Sequence, residues 1–172
     1  MLDVSAALKN PGSEFGFERE LTLEPCEMWG YTLTFENAAL SGRYFSADEV
    51  VSLRGLLTVT VNALCARCLA PVKRELTVPV DARFSRASDG EDSGTEVYPL
   101  VGHEIDLDEP AFEGLMLGLP MRFLCSEGCK GLCPVCGKNR NQGLCTCPEG
   151  VVKPNPFSAL NSIFPTNKHE EV

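Results

Sequence analysis

Between Phe15 and about Phe84, apolar and polar residues alternate with a period of two, the pattern of strands with one buried face. "FERELTL", "YTLTF" and "GRYFS" each follow it over a short span. The strongest signal is a pair of longer runs, "VVSLRGLLTVTVNAL" and "LAPVKRELTVPVDARF", rich in Val, Leu and Thr and joined across "CARC". They predict two long antiparallel strands with cysteines at their turn. Gly55 after Arg54, inside the first run, predicts a bulge or bend there. A twisted antiparallel sheet or small open barrel of about five strands accounts for this half.

Farther along, the pattern changes. "SRASDGEDSGTE" (85–96) is acidic and has no large apolar residue, so it reads as a loop. "EVYPLVGHEIDL" suits one or two short strands, in which His103 beside Glu104 reads as a polar strand residue, not a catalytic base. Asp108 then reads as a helix N-cap, with Pro110 in the first turn and the helix running to Leu119 before Pro120. Phe112, Leu115, Met116 and Leu119 share a face, which predicts packing on the sheet and a place in the core. Near the C-terminus, Asn155 and Pro156 open a short amphipathic helix with Phe157, Leu160 and Phe164 on one side. Such a helix either docks on its own domain or offers itself to a partner. "DVSAALKN" suits another short helix, capped by Asp3.

Nine cysteines change the picture, because six of them fall between Cys125 and Cys147. "MLDVSAALKNPG" has neither the basic nor the long apolar region of a secretory signal, and no apolar run approaches the roughly 20 residues of a membrane span. The expected location is the cytoplasm, where clustered cysteines bind metal more often than they form disulfides. "CPVCG" places Cys133 and Cys136 on a tight turn with Gly after the second thiol, as a zinc knuckle requires. "GKNRNQGL" then loops back to Cys145 and Cys147. Four thiolates at about 2.3 Å would close a tetrahedral structural Zn²⁺ site with no open position.

Cys65, Cys68, Cys125 and Cys129 supply a second set of four, so one or two zinc ions are expected. A competing assignment groups Cys125 and Cys129 with Cys133 and Cys136, leaving Cys145 and Cys147 to "CARC". Short loops favour the first grouping. Cys26 reads as a small hydrophobe. The expected fold is α+β: a mainly antiparallel sheet or open barrel, one packed helix and a zinc-ribbon segment. Its divisions are a sheet domain (1–120) with the acidic loop 85–96, a cysteine-rich segment (121–150) and a tail (151–172).

Other chemistry finds less support. "CARC" is followed by a strand-like run and Pro71, whereas a thioredoxin-like pair precedes a helix. A zinc deaminase needs H-x-E and P-C-x-x-C; here His103 and Glu104 are adjacent and Pro134 lies inside the pair. There is no phosphate loop and no Ser/His/Asp arrangement, so no enzymatic activity is expected. A formal charge of −9 opposes a broad hold on nucleic acid and favours basic partners. Lys138, Arg140 and Asn141 on the ribbon loop are candidates for local RNA contact. The rival class is a zinc-dependent redox-responsive or chaperone-like module, whose thiolates would react readily with oxidants.

In order, "CARCL", "EIDL" leading into an apolar helix and "LGLP", "CKGLCPVCGKNRNQGLCTC" and "KPNPFSAL" resemble the YceD family of large ribosomal RNA subunit accumulation proteins. The resemblance covers roughly Val50 to Phe164. Arg140 stands where many members carry Leu, and "KPNPF" is similar to the ending of members that lack the ribbon. The resemblance implies a non-enzymatic role in accumulation of large-subunit ribosomal RNA. It further implies, as partners, pre-ribosomal large-subunit RNA or a small basic ribosomal protein. The assignment of zinc rests on the cysteine spacing of this chain.

Overall fold

The computed structural model describes residues 1–86 and 97–147 and falls into two compact units, Met1–Cys129 and Lys130–Val172. In the first unit the elements follow the order β1 (Leu2–Asp3), α1 (Ser5–Lys9), β2 (Phe15–Leu21), β3 (Cys26–Met28), β4 (Tyr31–Ala47), β5 (Val50–Leu64), β6 (Pro71–Ser85), β7 (Val97–Val101), β8 (Glu104–Ile105) and α2 (Asp108–Gly118). They form one eight-stranded sheet in the order β1-β8-β7-β6-β5-β4-β2, with β3 also paired to β4, curled into a half-barrel. Pairing is antiparallel except between β6 and β7, which run parallel over three residue pairs from Arg83↔Val97 to Ser85↔Pro99.

The predicted β5–β6 pair is the backbone of the sheet, in continuous register from Val51↔Phe84 to Leu64↔Pro71. Leu53, Leu57, Val59, Val61, Val78, Val80 and Phe84 point inward and are almost wholly buried, as the period-two pattern requires. "YTLTF" and "GRYFS" are one strand, not two. The irregularity lies between Glu36 and Ala39, where Asn37 takes φ +51, a conformation Asn tolerates better than most residues. The bulge expected at Arg54–Gly55 is absent, since β4 and β5 stay in register from Ala39↔Thr58 to Ala47↔Val50. Gly55 instead faces Gly42 across the ladder, where a Cβ on Gly42 would overlap the Arg54 carbonyl oxygen. The glycine pair lets the two strands approach closely.

Both helices begin with an aspartate placed earlier than a conventional cap. Asp3 accepts the Ser5 N–H at 2.8 Å, and Asp106, not Asp108, accepts the N–H that opens α2, at 3.1 Å. Asp108 is the first helical residue because fully buried Leu107 anchors the chain just before it. Leu115 of the predicted stripe is fully buried, whereas Phe112, Met116 and Leu119 are half-buried against the core. The closest line of contact is made by glycines: Gly114 lies over Val80 and Gly118 over Val78 of β6. α2 thus sits low on the sheet, and its end sets the path of the chain through Phe123 to Cys129. Residues 87–96 of the acidic loop and the tail helix at Asn155–Phe164 lie outside the described residues.

Candidate metal centres

Nine cysteines are free thiols, and eight of them gather into two groups of four. Cys65, Cys68, Cys125 and Cys129 form one; Cys133, Cys136, Cys145 and Cys147 form the other. Within each group all sulfurs lie within 4.8 Å of one another. These are the two groups of the first assignment that the spacing allows. Cys26, half-buried on β3 opposite Leu33, joins neither group; burial, with Glu27 nearby, raises its pKa.

The first group is built by the β5–β6 turn and the chain after α2. The Cys65 N–H donates to the Ala70 carbonyl (2.8 Å) and the Leu69 N–H to the Cys65 carbonyl (2.9 Å), folding "CARCLA" into a knuckle. Two hydrogen bonds hold the later segment against it: Ala66 N–H to the Phe123 carbonyl (2.8 Å) and Arg67 Nη1 to the Cys129 carbonyl (2.9 Å). Phe123 is fully buried and anchors the segment in the core. The resulting sulfur separations are 3.7 Å for Cys65–Cys129 and 3.6 Å for Cys68–Cys125.

In the second unit the same knuckle recurs. Cys133 N–H donates to the Lys138 carbonyl (2.8 Å) and Gly137 N–H to the Cys133 carbonyl (2.9 Å), matching the first turn bond for bond. Gly137 has φ +73 and its counterpart Leu69 has φ +58. A bridge between Leu132 and Asn139 and a bond from Arg140 N–H to the Gly131 carbonyl close the ribbon. Two of the candidate RNA-contacting side chains brace this loop. Asn141 Oδ1 accepts the Lys130 N–H at 2.8 Å while its Nδ2 donates to Asn139, and Lys138 Nζ reaches the Leu144 carbonyl at 3.4 Å.

The donor sets fit a tetrahedral thiophilic cation. With Zn–S at about 2.3 Å, a regular tetrahedron has an edge of about 3.8 Å, close to the separations in the first group. A disulfide would need about 2.05 Å. Protonation follows from the crowding. Burial opposes ionisation of Cys65, but N–H groups from Cys125, Arg67 and Cys68 outweigh it and bring the pKa down to about 6. N–H groups of Cys136 and Val135, aided by the Cys145 thiol, bring Cys133 down to about 6. Other thiols are pushed the opposite way by their neighbours. Cys129 and Cys68 push Cys125 up to about 12, and Cys136 pushes Cys147 up to about 12. Backbone donation from Ala70 favours the Cys68 thiolate, yet burial and Cys65 outweigh it and raise its pKa. In each cluster one thiol is thus disposed to ionise and at least one other resists, and a bound cation would offset the charge of full ionisation.

Sequence reasoning located all eight thiols. It missed Arg67 as a clamp on the Cys129 carbonyl and Trp29 as a neighbour of Phe123, with ring centroids 6.4 Å apart. No local pattern links these residues, since chain segments far apart meet there. His103 is exposed beside the β7–β8 turn, and its carbonyl accepts the Val4 N–H. Among the described residues, no helix is long and apolar enough to cross a membrane.

Comparison with known proteins places these centres in a family context. Uncharacterized proteins of Mycobacterium tuberculosis and Mycobacterium bovis are each 29% identical over 142 residues, covering 79% of this chain and 68% of theirs. An uncharacterized protein of Mycobacterium leprae is 30% identical over 99 residues, covering 55% of this chain and 45% of its own. No solved structure gives a significant match. The family model described as "Large ribosomal RNA subunit accumulation protein YceD" matches residues 53–164, a span that carries both cysteine clusters, and the chain belongs to the YceD family.

Proposed function

We propose that this chain is a non-enzymatic, cytoplasmic ribosome-assembly factor that supports accumulation of large-subunit ribosomal RNA. Two structural Zn²⁺ ions would be held by Cys65, Cys68, Cys125 and Cys129 and by Cys133, Cys136, Cys145 and Cys147. The family's description supplies the ribosomal setting. The observation that carries the metal reading is the pair of four-thiol clusters, each built on the same knuckle. Bound zinc supplies charge compensation and cross-linking; the chain's own part is to present thiols and exclude water from Cys65, Cys68, Cys129 and Cys133, which are buried. Pre-ribosomal large-subunit RNA or a basic ribosomal protein is the partner class that this role and the charge of −9 together support.

Native mass spectrometry of untagged protein tests the metal reading, with metal content and thiol oxidation taken from one spectrum. Two zincs on a fully reduced chain is the expected result. A metal-free chain carrying disulfides would overturn it. Co-sedimentation with large-subunit precursors tests the ribosomal role, which fails if the protein stays with the free fraction. The exposure of Cys125 and Cys136 supports a second reading, oxidant-triggered zinc release. Loss of zinc at low peroxide, with disulfides forming as it leaves, would favour that reading; slow release would exclude it.

A further inference from the structure

Two bulky apolar residues stand where turn chemistry asks for something else. In the second knuckle the residue after the C-x-x-C pair is Gly137, at φ +73; in the first it is Leu69, at φ +58. A left-handed leucine is disfavoured by its Cβ, and burial does not compensate, because Leu69 is 59% exposed. The same exception appears between β3 and β4. Met28 pairs with Tyr31 across a two-residue turn whose central residues, Trp29 and Gly30, have φ +54 and +82. Such a turn favours Asn-Gly or Asp-Gly, yet this one carries the chain's single tryptophan, 49% exposed. Trp29 contacts Phe123, whose carbonyl is bonded to Ala66 of the first knuckle, so both residues belong to one end of the sheet. Turn preference explains neither; packing on Phe123 and Tyr31 accounts for the covered half of Trp29 but not for its exposed half or for Leu69, and strained exposed apolar residues mark contact sites.

We propose that Trp29 and Leu69 are the apolar anchors of a docking surface for a basic polypeptide, a lysine- and arginine-rich protein segment. The proposal takes its ribosomal setting from the function proposed above and deepens it by naming partner class and surface. Charge selects the occupant. Glu24 and Glu27 are exposed on the arm that carries Trp29, and Glu127 is exposed between Cys125 and Cys129. Arg67 and Arg122 oppose them, two guanidiniums against three carboxylates, and the bond to the Cys129 carbonyl fixes where the Arg67 charge stands. Four thiolates around a divalent cation would add a formal −2, and the whole chain carries −9. A phosphate backbone meets repulsion at such an end, whereas a lysine or arginine finds carboxylates and the face of an indole.

The test uses the full chain, a panel of individually purified basic large-subunit ribosomal proteins and a single-stranded RNA oligonucleotide as probes. Wild type, Trp29→Asn, Leu69→Gly and the double variant are compared for affinity, thermal midpoint and zinc content. At least one basic protein should bind wild type, and each substitution should weaken it by about tenfold or more, as expected for anchor residues. The Leu69→Gly midpoint should hold or rise, because that change removes strain, and the Trp29→Asn midpoint should change little, its favoured Asn-Gly pair offsetting the ring packing lost from Phe123 and Tyr31. Residues serving only to stabilise the turns would give a lower midpoint with affinity falling in step. The proposal is overturned by that result, by a panel with no binder, by binding indifferent to both substitutions, or by RNA binding through Trp29. Self-association of wild type lost in the variants would also overturn it, making a second copy the occupant. A zinc-free wild type that still binds through Trp29 would defeat the metal reading alone.

Discussion

Gly118→Ala separates helix propensity from packing, because the two predict opposite signs. Replacing a helical glycine by alanine ordinarily stabilises by up to about 1 kcal/mol. Here the new Cβ would overlap Val78 Cγ1 and lie 2.9 Å from Val78 Cβ. Val78 cannot yield easily: it is 4% exposed, β-branched and paired with Leu57 in mid-sheet. The helix must therefore lift off β6, loosening buried Ala111 and Leu115. Overpacking of this kind costs about 1–3 kcal/mol, and the position at the last helical residue reduces the propensity gain, so a net loss of about 1–2 kcal/mol is expected. Gly114→Ala should lose less, since its Cβ would stand 3.0 Å from Val80 Cγ2 and 3.2 Å from the Pro79 carbonyl oxygen. Urea unfolding followed by far-ultraviolet circular dichroism, at saturating zinc, reads both variants. The lift has a functional consequence as well, because α2 sets the path to Cys125 and Cys129; zinc affinity of the first cluster should fall with stability. A Gly118→Ala midpoint equal to or above wild type would refute the packing argument.

Gly137→Leu should weaken zinc binding at the second cluster by about 5- to 30-fold, since the left-handed penalty of roughly 1–2 kcal/mol is charged against metal-coupled folding; competition with a chromophoric chelator measures it, and unchanged affinity would refute that coupling. Acid should erase the contribution of Glu36. A hydrogen bond from Lys73, then one from Asn62, lowers its pKa below 4.5, so its stabilisation is present above that value and is lost as pH falls through the depressed one. The stability gap between wild type and Glu36→Gln should therefore be open at neutral pH and close in acid, metal loss being common to both; a gap that persists at the lowest pH would contradict the sign.

Much of the sheet and all eight clustered thiols were legible in the chain because their signals are local. Alternation along β5 and β6 reports a buried face, and a C-x-x-C turn aims two thiols at one point whatever lies elsewhere. The resemblance carried by "CARCL" and the ribbon matched the family span of residues 53–164. What stayed hidden depends on meetings between distant segments. The sequence put Cys65, Cys68, Cys125 and Cys129 in one group, but it did not tell that Cys65 lies beside Cys129 and Cys68 beside Cys125, nor that Arg67 and Phe123 hold the two segments together. The fusion of two short runs into β4 required Asn37 to absorb a bulge that no alternation announces.

By itself, then, the sequence determined which residues alternate, where turns and knuckles form, and which thiols come in pairs. Only the tertiary structure decided that Gly55 meets Gly42, that Gly118 lies against Val78, and that Leu69 adopts the same left-handed conformation as Gly137. Local patterns record whether a side chain is buried or a turn is tight. They do not record which distant atom lies within a few ångströms, and close approach is what gives those glycines and the thiol clusters their meaning.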